Sequence, residues 1–385
     1  MSLLDHYVQE LDELKQAGNY RQFRLGEQVD RWITLNGQRM LNLSSNDYLG
    51  LASAPQLREE FFDQIQGDGL RMSSSSSRLL TGNYEAYEQL EHQMSDLFQQ
   101  QAVLLFNSGY HMNIGILPAV SDAQTFILSD KLVHASMIDG IRLGKARYQR
   151  YRHNDLQHLE QLIQQHHDEE HVHRIIVVTE SIFSMDGDET NLTALVALKR
   201  RYHKLMLYVD EAHAIGVRGK QGLGCAEQHG LIQDIDFLVG TFGKAMASVG
   251  GYLVCHPVIR EYLINKMRPL IFSTALPPIC MAWTGFILNK TIAMQAQRQQ
   301  LQQYSQRLQQ AIQNRGYPCP STTQIVPVIV GDSQLAVERA AQMQQAGFYI
   351  MPVRPPTVPQ GSSRLRICMN SHVSEKELEQ LIELL

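Results

Sequence analysis

Cysteine is scarce in this chain: five in 385 residues, at positions 225, 255, 280, 319 and 368. They are odd in number, widely scattered and never spaced CxxC. A disulfide framework and a zinc ribbon are both disfavoured, and a reducing cytoplasm fits. Long hydrophobic runs are missing too; none approaches the roughly 20 residues that cross a bilayer. The opening "MSLLDHYVQELDELKQAG" lacks the basic head and apolar centre of a secretory signal, and Leu4, Val8, Leu11 and Leu14 form a helical stripe instead. Nor is there an excess of charge of one sign. Against 39 acidic residues stand 34 basic ones, interspersed, for a net charge of −5. Nothing there calls for nucleic acid or an anionic membrane. Neither GxGxxG after a strand nor GxxxxGK[ST] occurs, so a nucleotide-binding Rossmann reading has no support.

What is present is ordinary globular material, 44% hydrophobic and 19% charged, enough for about two or three domains. From about residue 100, apolar runs alternate with amphipathic segments. "AVLLF" (102–106), "TFILS" (125–129), "RIIVVT" (174–179), "LMLYVD" (205–210), "DFLVGT" (236–241) and "GYLVC" (251–255) are short, aliphatic and nearly continuous. Strands buried on both faces have this composition, which predicts an α/β fold with a mostly parallel sheet covered by helices. After Pro278 the texture changes to one long helix ending at Gly316, then strands and helices that predict a smaller C-terminal α+β domain. Ser374 and Glu377 give its last helix a capping box. The division expected is 1–45 as an N-terminal helix and arm, 46–280 as the large domain and 281–385 as the small one.

The five serines of "RMSSSSSRLLTGN" have the composition of a linker. They run directly into "NYEAYEQLEHQMSDLF", whose Leu90, Met94, Leu97 and Phe98 form a helical stripe leading to the first sheet strand. A domain boundary here would strip the sheet of a helix, so the run is expected to be a loop.

Four short stretches carry chemistry together that none carries alone. In "LYVDEAHAIG", Asp210 ends a buried strand, where parallel sheets place their ligands, and His213 follows three residues later. In "LVGTFGKAMASVGG", Lys244 follows a strand and a tight turn, where partial desolvation lowers an ammonium's pKa and makes it a nucleophile. "LLFNSGYHMNIG" reads as strand, turn and helix start, with Gly109 and Tyr110 where backbone N–H groups can hold a phosphate. "SDKLVHAS" places His134 after another strand end, where its ring can stack on a planar ligand. A strand-end carboxylate, a Schiff-base lysine, a phosphate-ready helix start and a stackable imidazole are what pyridoxal 5′-phosphate requires.

With those residues in hand, the chain resembles the α-oxoamine synthases, pyridoxal-phosphate enzymes of aminotransferase fold type I. "LSSNDYLGL", "SRLLTGN", "HASMIDGIRL", "FSMDGD", "VDEAHAIGVRGKQGLG", "GTFGKA", "IFSTALPP" and "VRPPTVPQGSSRLRI" are similar to that family's motifs over nearly the whole chain. The resemblance implies a mostly parallel, seven-stranded type of sheet in a large cofactor domain with the small domain after it. It implies a C-acyltransferase that joins an amino acid to an acyl thioester with loss of CO2 and the thiol. The most similar branch joins L-alanine to a pimeloyl thioester, on CoA or a carrier protein, in biotin synthesis; "HASMIDGIRLGKAR" is also similar to the branch using glycine and acetyl-CoA. A catalytically silent relative of the same fold is a further alternative, against which the presence of Lys244 and Asp210 speaks.

By that resemblance Lys244 holds the cofactor and removes the Cα proton, Asp210 pairs with the ring nitrogen, and His134 stacks on the ring. His213 and Ser184 approach its phenolic oxygen. Gly109, Tyr110 and Thr241 contact the phosphate, and Thr274 reaches the phosphate of the neighbouring subunit in a homodimer. Arg354 clamps the amino acid carboxylate bidentately, with Asn46 nearby, while Arg21 and Thr357 line the acyl side; Glu180 is a further candidate. The family's corresponding loop is rich in glycine, and here Arg71, Ser73 and Ser76 take those places, with Arg78 completing the loop. No metal is expected. His167 and His171 in "HHDEEHVH" have a helical zinc spacing but lack the HExxH pattern, and read as solvated surface.

Overall fold

The computed structural model describes residues 3–99 and 101–385. Two compact units share the chain. Residues up to Ser53, Met185–Asp188 and Gln300–Leu385 form one; Ala54–Ser184 and Glu189–Gln299 form the other. The second, larger unit carries the sheet, and the N-terminal segment belongs with the C-terminal residues.

In the smaller unit the chain begins with the helix Asp5–Gln16 and the strands β1 (Glu27–Val29), β2 (Trp32–Leu35) and β3 (Gln38–Asn42). After the larger unit come β11 (Ile325–Gly331), β12 (Phe348–Tyr349), β13 (Pro352–Val353) and β14 (Ser363–Cys368). Strands β1, β2 and β3 pair antiparallel, and β12 adds to β3 in parallel. A second sheet has the order β11-β14-β13. The last helix, Glu375–Leu384, starts at the expected Ser374–Glu377 capping box.

The larger unit contributes β4 (Ala102–Phe106), β5 (Thr125–Asp130), β6 (Arg147–Tyr151), β7 (Arg174–Glu180), β8 (Leu205–Asp210), β9 (Phe237–Thr241) and β10 (Gly251–Cys255). Their order is β4-β10-β9-β8-β7-β5-β6. Only β10 runs antiparallel to its neighbours, so β5 to β9 form the parallel core of the sheet. Six of the seven strands are the apolar runs read from the sequence. β6 is the exception: "RYQRY" is exposed at four of its five positions. An edge strand facing water needs no apolar run, so the pattern is silent there.

Apolar side chains from strands and helices meet in one core. Leu104, Ile127, Ile176, Val178, Val239 and Leu253 pack with Met112, Ile116 and Leu117 of the helix Gly109–Ala119. This packing fixes the strand ends and the helix start relative to each other. The helix expected to run unbroken to Gly316 is two, Pro278–Ile292 and Gln295–Asn314. Arg298 explains the break: its guanidinium donates to the carbonyls of Thr291 and Ile292, which the first helix leaves open at its end. No described helix is long and apolar enough to cross a membrane.

Candidate active site

At the carboxyl ends of the parallel strands lies a cavity of about 170 Å3, lined among others by Gly109, Tyr110, Asn113, His134, Asp210, His213, Thr241 and Lys244. Seven of these were expected from the sequence. A larger cavity of about 590 Å3 in the same unit, around Phe61, Leu90, Met281 and Phe286, has among its described lining residues Glu85 as the only ionisable one. The chemistry therefore sits in the smaller one.

Asp210 ends β8, buried to 5% exposure. Its Oδ1 accepts from the Ala212 N–H at 2.9 Å and its Oδ2 from Asn113 Nδ2 at 3.1 Å. Asn113 is oriented in turn: Tyr208 donates to its Oδ1 at 2.5 Å, and its Nδ2 also reaches Ser136 Oγ at 3.0 Å. Nothing in the sequence pattern marked Asn113, because it lies inside an apolar helix as an isolated amide. Lys244 follows β9 and its Nζ lies 2.8 Å from His213 Nε2. Thr241 closes β9; its hydroxyl donates to the Gly250 carbonyl at 2.8 Å and accepts from the Gly243 N–H at 3.2 Å.

His134 caps the helix Ala135–Leu143, accepting from the Ser136 N–H through Nδ1. Nδ1 also lies 2.8 Å from Ser136 Oγ, His134 lines the cavity, and partial burial lowers its pKa. Glu180 ends β7 directly beside Asp210 in register and accepts from the His134 N–H at 2.7 Å. Burial raises the Glu180 pKa, and the neighbouring Asp210 charge adds to that. Gly109 and Tyr110 begin the helix Gly109–Ala119, whose cap, Ser108, accepts from the His111 N–H. The Tyr110 hydroxyl donates to Asp139 at 2.6 Å.

This donor set fits pyridoxal phosphate. A buried carboxylate has room for about four hydrogen bonds, and beside Glu180 Asp210 needs a cationic partner more than it needs another neutral one; a protonated ring nitrogen supplies that. At the other end, the start of the helix Gly109–Ala119 and Thr241 line the same cavity, where N–H groups and a hydroxyl can meet an anion.

Two expected cofactor residues lie outside this lining. Ser184 is half-buried beyond Phe183. Thr274 is exposed, its carbonyl accepting from Asn107 at 2.7 Å. The expected substrate residues belong to the smaller unit, where they form pairs of their own. Arg21 donates to Thr357 Oγ1 at 3.2 Å, Arg354 donates to the Gly18 carbonyl, and Asn46 Oδ1 accepts from Tyr48 and Arg366, each at 3.0 Å.

The serine run is a pinned loop. Ser74 Oγ donates to the Leu276 carbonyl at 2.6 Å, and the Ser76 carbonyl accepts from the Ala275 N–H at 2.9 Å. The left-handed residue is Ser75, at φ +51°, rather than Ser73 or Ser76. Arg78, expected to complete the loop, is held by Glu91 at 2.6 Å, by Asn83 at 2.8 Å, and over the Tyr87 ring. Of the histidines of 166–173, His166 and His171 share the Glu169 carboxylate, at 2.5 and 3.0 Å. His166 is buried and stacks on Phe126, which the solvated-surface expectation did not foresee. His167 meets His203, and His171 meets Glu169. Among the described residues no three His, Cys, Asp or Glu side chains are grouped to hold a metal.

Comparison with known proteins agrees with this geometry. The family described as aminotransferase class I and II matches residues 38–385. A protein of Pasteurella multocida (strain Pm70), provisionally named 8-amino-7-oxononanoate synthase, is 54% identical over 99% of this chain and 98% of its own length. The 8-amino-7-oxononanoate synthase of Haemophilus ducreyi is 50% identical over 98% of this chain and 99% of its own. Among solved structures, the serine palmitoyltransferase of Sphingomonas wittichii superposes with a TM-score of 0.88 at 28% identity, covering 100% of this chain and 96% of that one. Relatives this similar along almost the whole length leave one assignment: the chain belongs to the 8-amino-7-oxononanoate synthases, within aminotransferase class I and II.

Proposed function

We propose that the protein condenses L-alanine with a pimeloyl thioester, releasing CO2 and the thiol and forming 8-amino-7-oxononanoate for biotin synthesis. One carbon–carbon bond forms, between the alanine Cα and the acyl carbon; the acyl–sulfur bond and the Cα–carboxylate bond break. The Lys244–His213 contact at 2.8 Å, a few residues from Asp210 in the same cavity, is the observation that supports this reading most directly.

Pyridoxal 5′-phosphate, when bound, supplies a carbonyl that takes an amino group and a ring that accepts electrons from the amino acid's α-carbon. Lys244 is the amine that holds it and the base that takes the Cα proton. Asp210, oriented by Asn113, keeps a proton on the ring nitrogen. His134 would cover one face of the ring. His213 and Ser184 would hydrogen-bond at the phenolic oxygen, and His213 exchanges a proton with Lys244 Nζ. The N–H groups of Gly109 and Tyr110, with the Thr241 hydroxyl, hold the phosphate. In a cytoplasmic homodimer, Thr274 serves the phosphate of the neighbouring subunit.

Arg354 receives the alanine carboxylate, helped by Asn46. Arg21 and Thr357 face the acyl substrate; their mutual hydrogen bond supports assigning them one shared task. The test offers the purified holoenzyme L-alanine with pimeloyl-CoA and, separately, glycine with acetyl-CoA, and titrates the thiol released. Faster release from the first pair is expected. Faster release from glycine and acetyl-CoA overturns the choice of substrates while leaving the chemistry intact.

A further inference from the structure

The amide of Asn46 is held in one orientation. Its Oδ1 accepts from the Tyr48 hydroxyl at 3.0 Å and from Arg366 Nη1 at 3.0 Å. A guanidinium has five donors and no acceptor, so the amide atom turned toward Arg366 has to be the oxygen, whichever way the Tyr48 hydroxyl rotates. Asn and Gln amides are otherwise ambiguous by half a turn, and only their partners decide between the two. Here the decision rests on a charged donor.

Both donors are themselves fixed. Tyr48 is fully buried at 0% exposure, and burial pushes its phenol well above the ordinary range, so the hydroxyl keeps its proton. Arg366 also hydrogen-bonds the Tyr48 phenol and, at 2.8 Å, Cys368 Sγ. A phenol oxygen that accepts from Arg366 has its own proton left to aim at Asn46. Arg366 Nη1 thus serves both Asn46 Oδ1 and Cys368 Sγ, the Tyr48 phenol is also bonded by Gln324, and the amide oxygen is left with two donors, one of them charged.

We propose that Tyr48 and Arg366 are positioning residues that lock Asn46 with its N–H2 outward, making it a donor selective for the carboxylate of the amino acid substrate. With Oδ1 taken, the amide offers an incoming group only N–H. An anionic acceptor such as an α-carboxylate is matched; a carboxamide or ester is matched less well, since a charge-assisted hydrogen bond is about twice as strong as a neutral one. This rests on the reading of Asn46 as a substrate residue given above, and extends it to why an amide there discriminates by charge.

The experiment titrates the holoenzyme with L-alanine and with L-alaninamide, following the visible band of the bound cofactor, in wild type, Tyr48→Phe, Asn46→Ala, Asn46→Asp and Tyr48→Phe/Asn46→Ala. Tyr48→Phe removes one donor at nearly constant volume. It is expected to weaken alanine roughly three- to tenfold, the size of one hydrogen bond, and to leave the KM for the pimeloyl thioester unchanged. Asn46→Asp keeps both acceptors for Tyr48 and Arg366 yet turns an oxygen outward. It should weaken alanine more than Asn46→Ala does and narrow the preference for alanine over alaninamide. In the double variant the Tyr48 effect should disappear. If Asn46→Ala binds alanine as wild type does, the substrate role of Asn46 falls. If Asn46→Ala weakens alanine while Tyr48→Phe does not, or the two losses simply add, that role stands and the positioning inference is wrong.

Discussion

Lys244 Nζ and His213 Nε2 share a single hydrogen bond of 2.8 Å. The contact needs one donor and one acceptor, so a proton can pass along it between the amine and the imidazole. An amine that must alternate between bonding a carbonyl carbon and taking a proton gains from such a partner, because the proton has somewhere to go without leaving the cavity. Lys244→Ala is expected to lower kcat by at least the 10²–10⁴-fold that a positioned base contributes. Borohydride reduction of wild type, followed by peptide mapping, should recover the cofactor on the peptide containing Lys244. Recovery on any other lysine ends the assignment.

Asp210 offers a second test with less disturbance to the fold. Asp210→Asn preserves shape and can still accept from the Ala212 N–H, but it removes the charge that a ring nitrogen requires. A loss of about 10²–10³ in kcat is expected, the range for deleting one preorganised electrostatic contact, with cofactor still bound by absorbance. Asn113 holds Asp210 as well as Ser136 and Tyr208; the loss of kcat in Asn113→Ala that runs through Asp210 should be smaller and should vanish in the Asp210→Asn background.

How much of this was legible beforehand follows from what each residue's signal is made of. Asp210, Lys244, Gly109 and His134 could be read because each follows an apolar run, and the end of a parallel strand is where ligands bind. Asn113 could not be read: a single amide on a helix has no local pattern, and its role appears only when Tyr208 and Asp210 close on it from another strand. The edge strand β6 escaped for a related reason, since its face to water erases the hydrophobic period. For Arg78 the sequence could not show the buried Glu91 that waits 13 residues further along the chain.

That Glu91 makes Arg78 a stability residue. Glu91 is buried to 6% exposure and accepts from Arg78 at 2.6 Å, from Arg260 at 2.7 Å and from the Leu105 N–H at 3.2 Å. Removing one cation leaves a buried carboxylate half-compensated, which costs roughly 3 kcal/mol or more. Arg78→Met should therefore lower the denaturant midpoint of unfolding by that equivalent. The KM for either substrate should stay within about twofold of wild type, a change too small to represent a lost hydrogen bond. A selective rise in KM with unchanged stability would return Arg78 to the substrate loop.

Glu211 gives stability a pH dependence. Fully buried, it accepts from Ser181 Oγ at 2.6 Å and from the Cys225 and Ala226 N–H groups at 3.0 and 2.7 Å. Burial outweighs these bonds and raises its pKa from 4.5 to about 7. The folded state then binds a proton that the unfolded state has released, between those two values. The stability this group contributes is present in full below about 4.5 and is lost as pH rises through about 7, a swing on the order of 3 kcal/mol. Urea denaturation at pH 5 and pH 8 should show wild type losing more stability across that interval than Glu211→Gln, which cannot titrate. Equal losses would mean the carboxylate is not the source.

The serines make opposite predictions at neighbouring positions. Ser75 sits at φ +51°, where a Cβ crowds the carbonyl and costs about 1 kcal/mol, so Ser75→Gly relieves strain while adding chain entropy to the unfolded state. The two effects are of similar size, and the substitution should shift stability by less than about 1 kcal/mol. Ser74 is different. Its hydroxyl is buried against the Leu276 carbonyl at 2.6 Å, and Ser74→Ala leaves that carbonyl with the Tyr87 hydroxyl alone, at 3.0 Å, for a loss of about 0.5–1.5 kcal/mol. Ser76 holds the loop mainly through its backbone carbonyl to Ala275, with its hydroxyl only accepting from the Thr81 N–H at 3.3 Å. Ser76→Gly should consequently keep kcat within a few-fold, since the main-chain bond survives the substitution. Thermal melts and initial rates on the three variants separate these cases: a collapse of kcat in Ser76→Gly would show that the hydroxyl works in the reaction rather than in the loop.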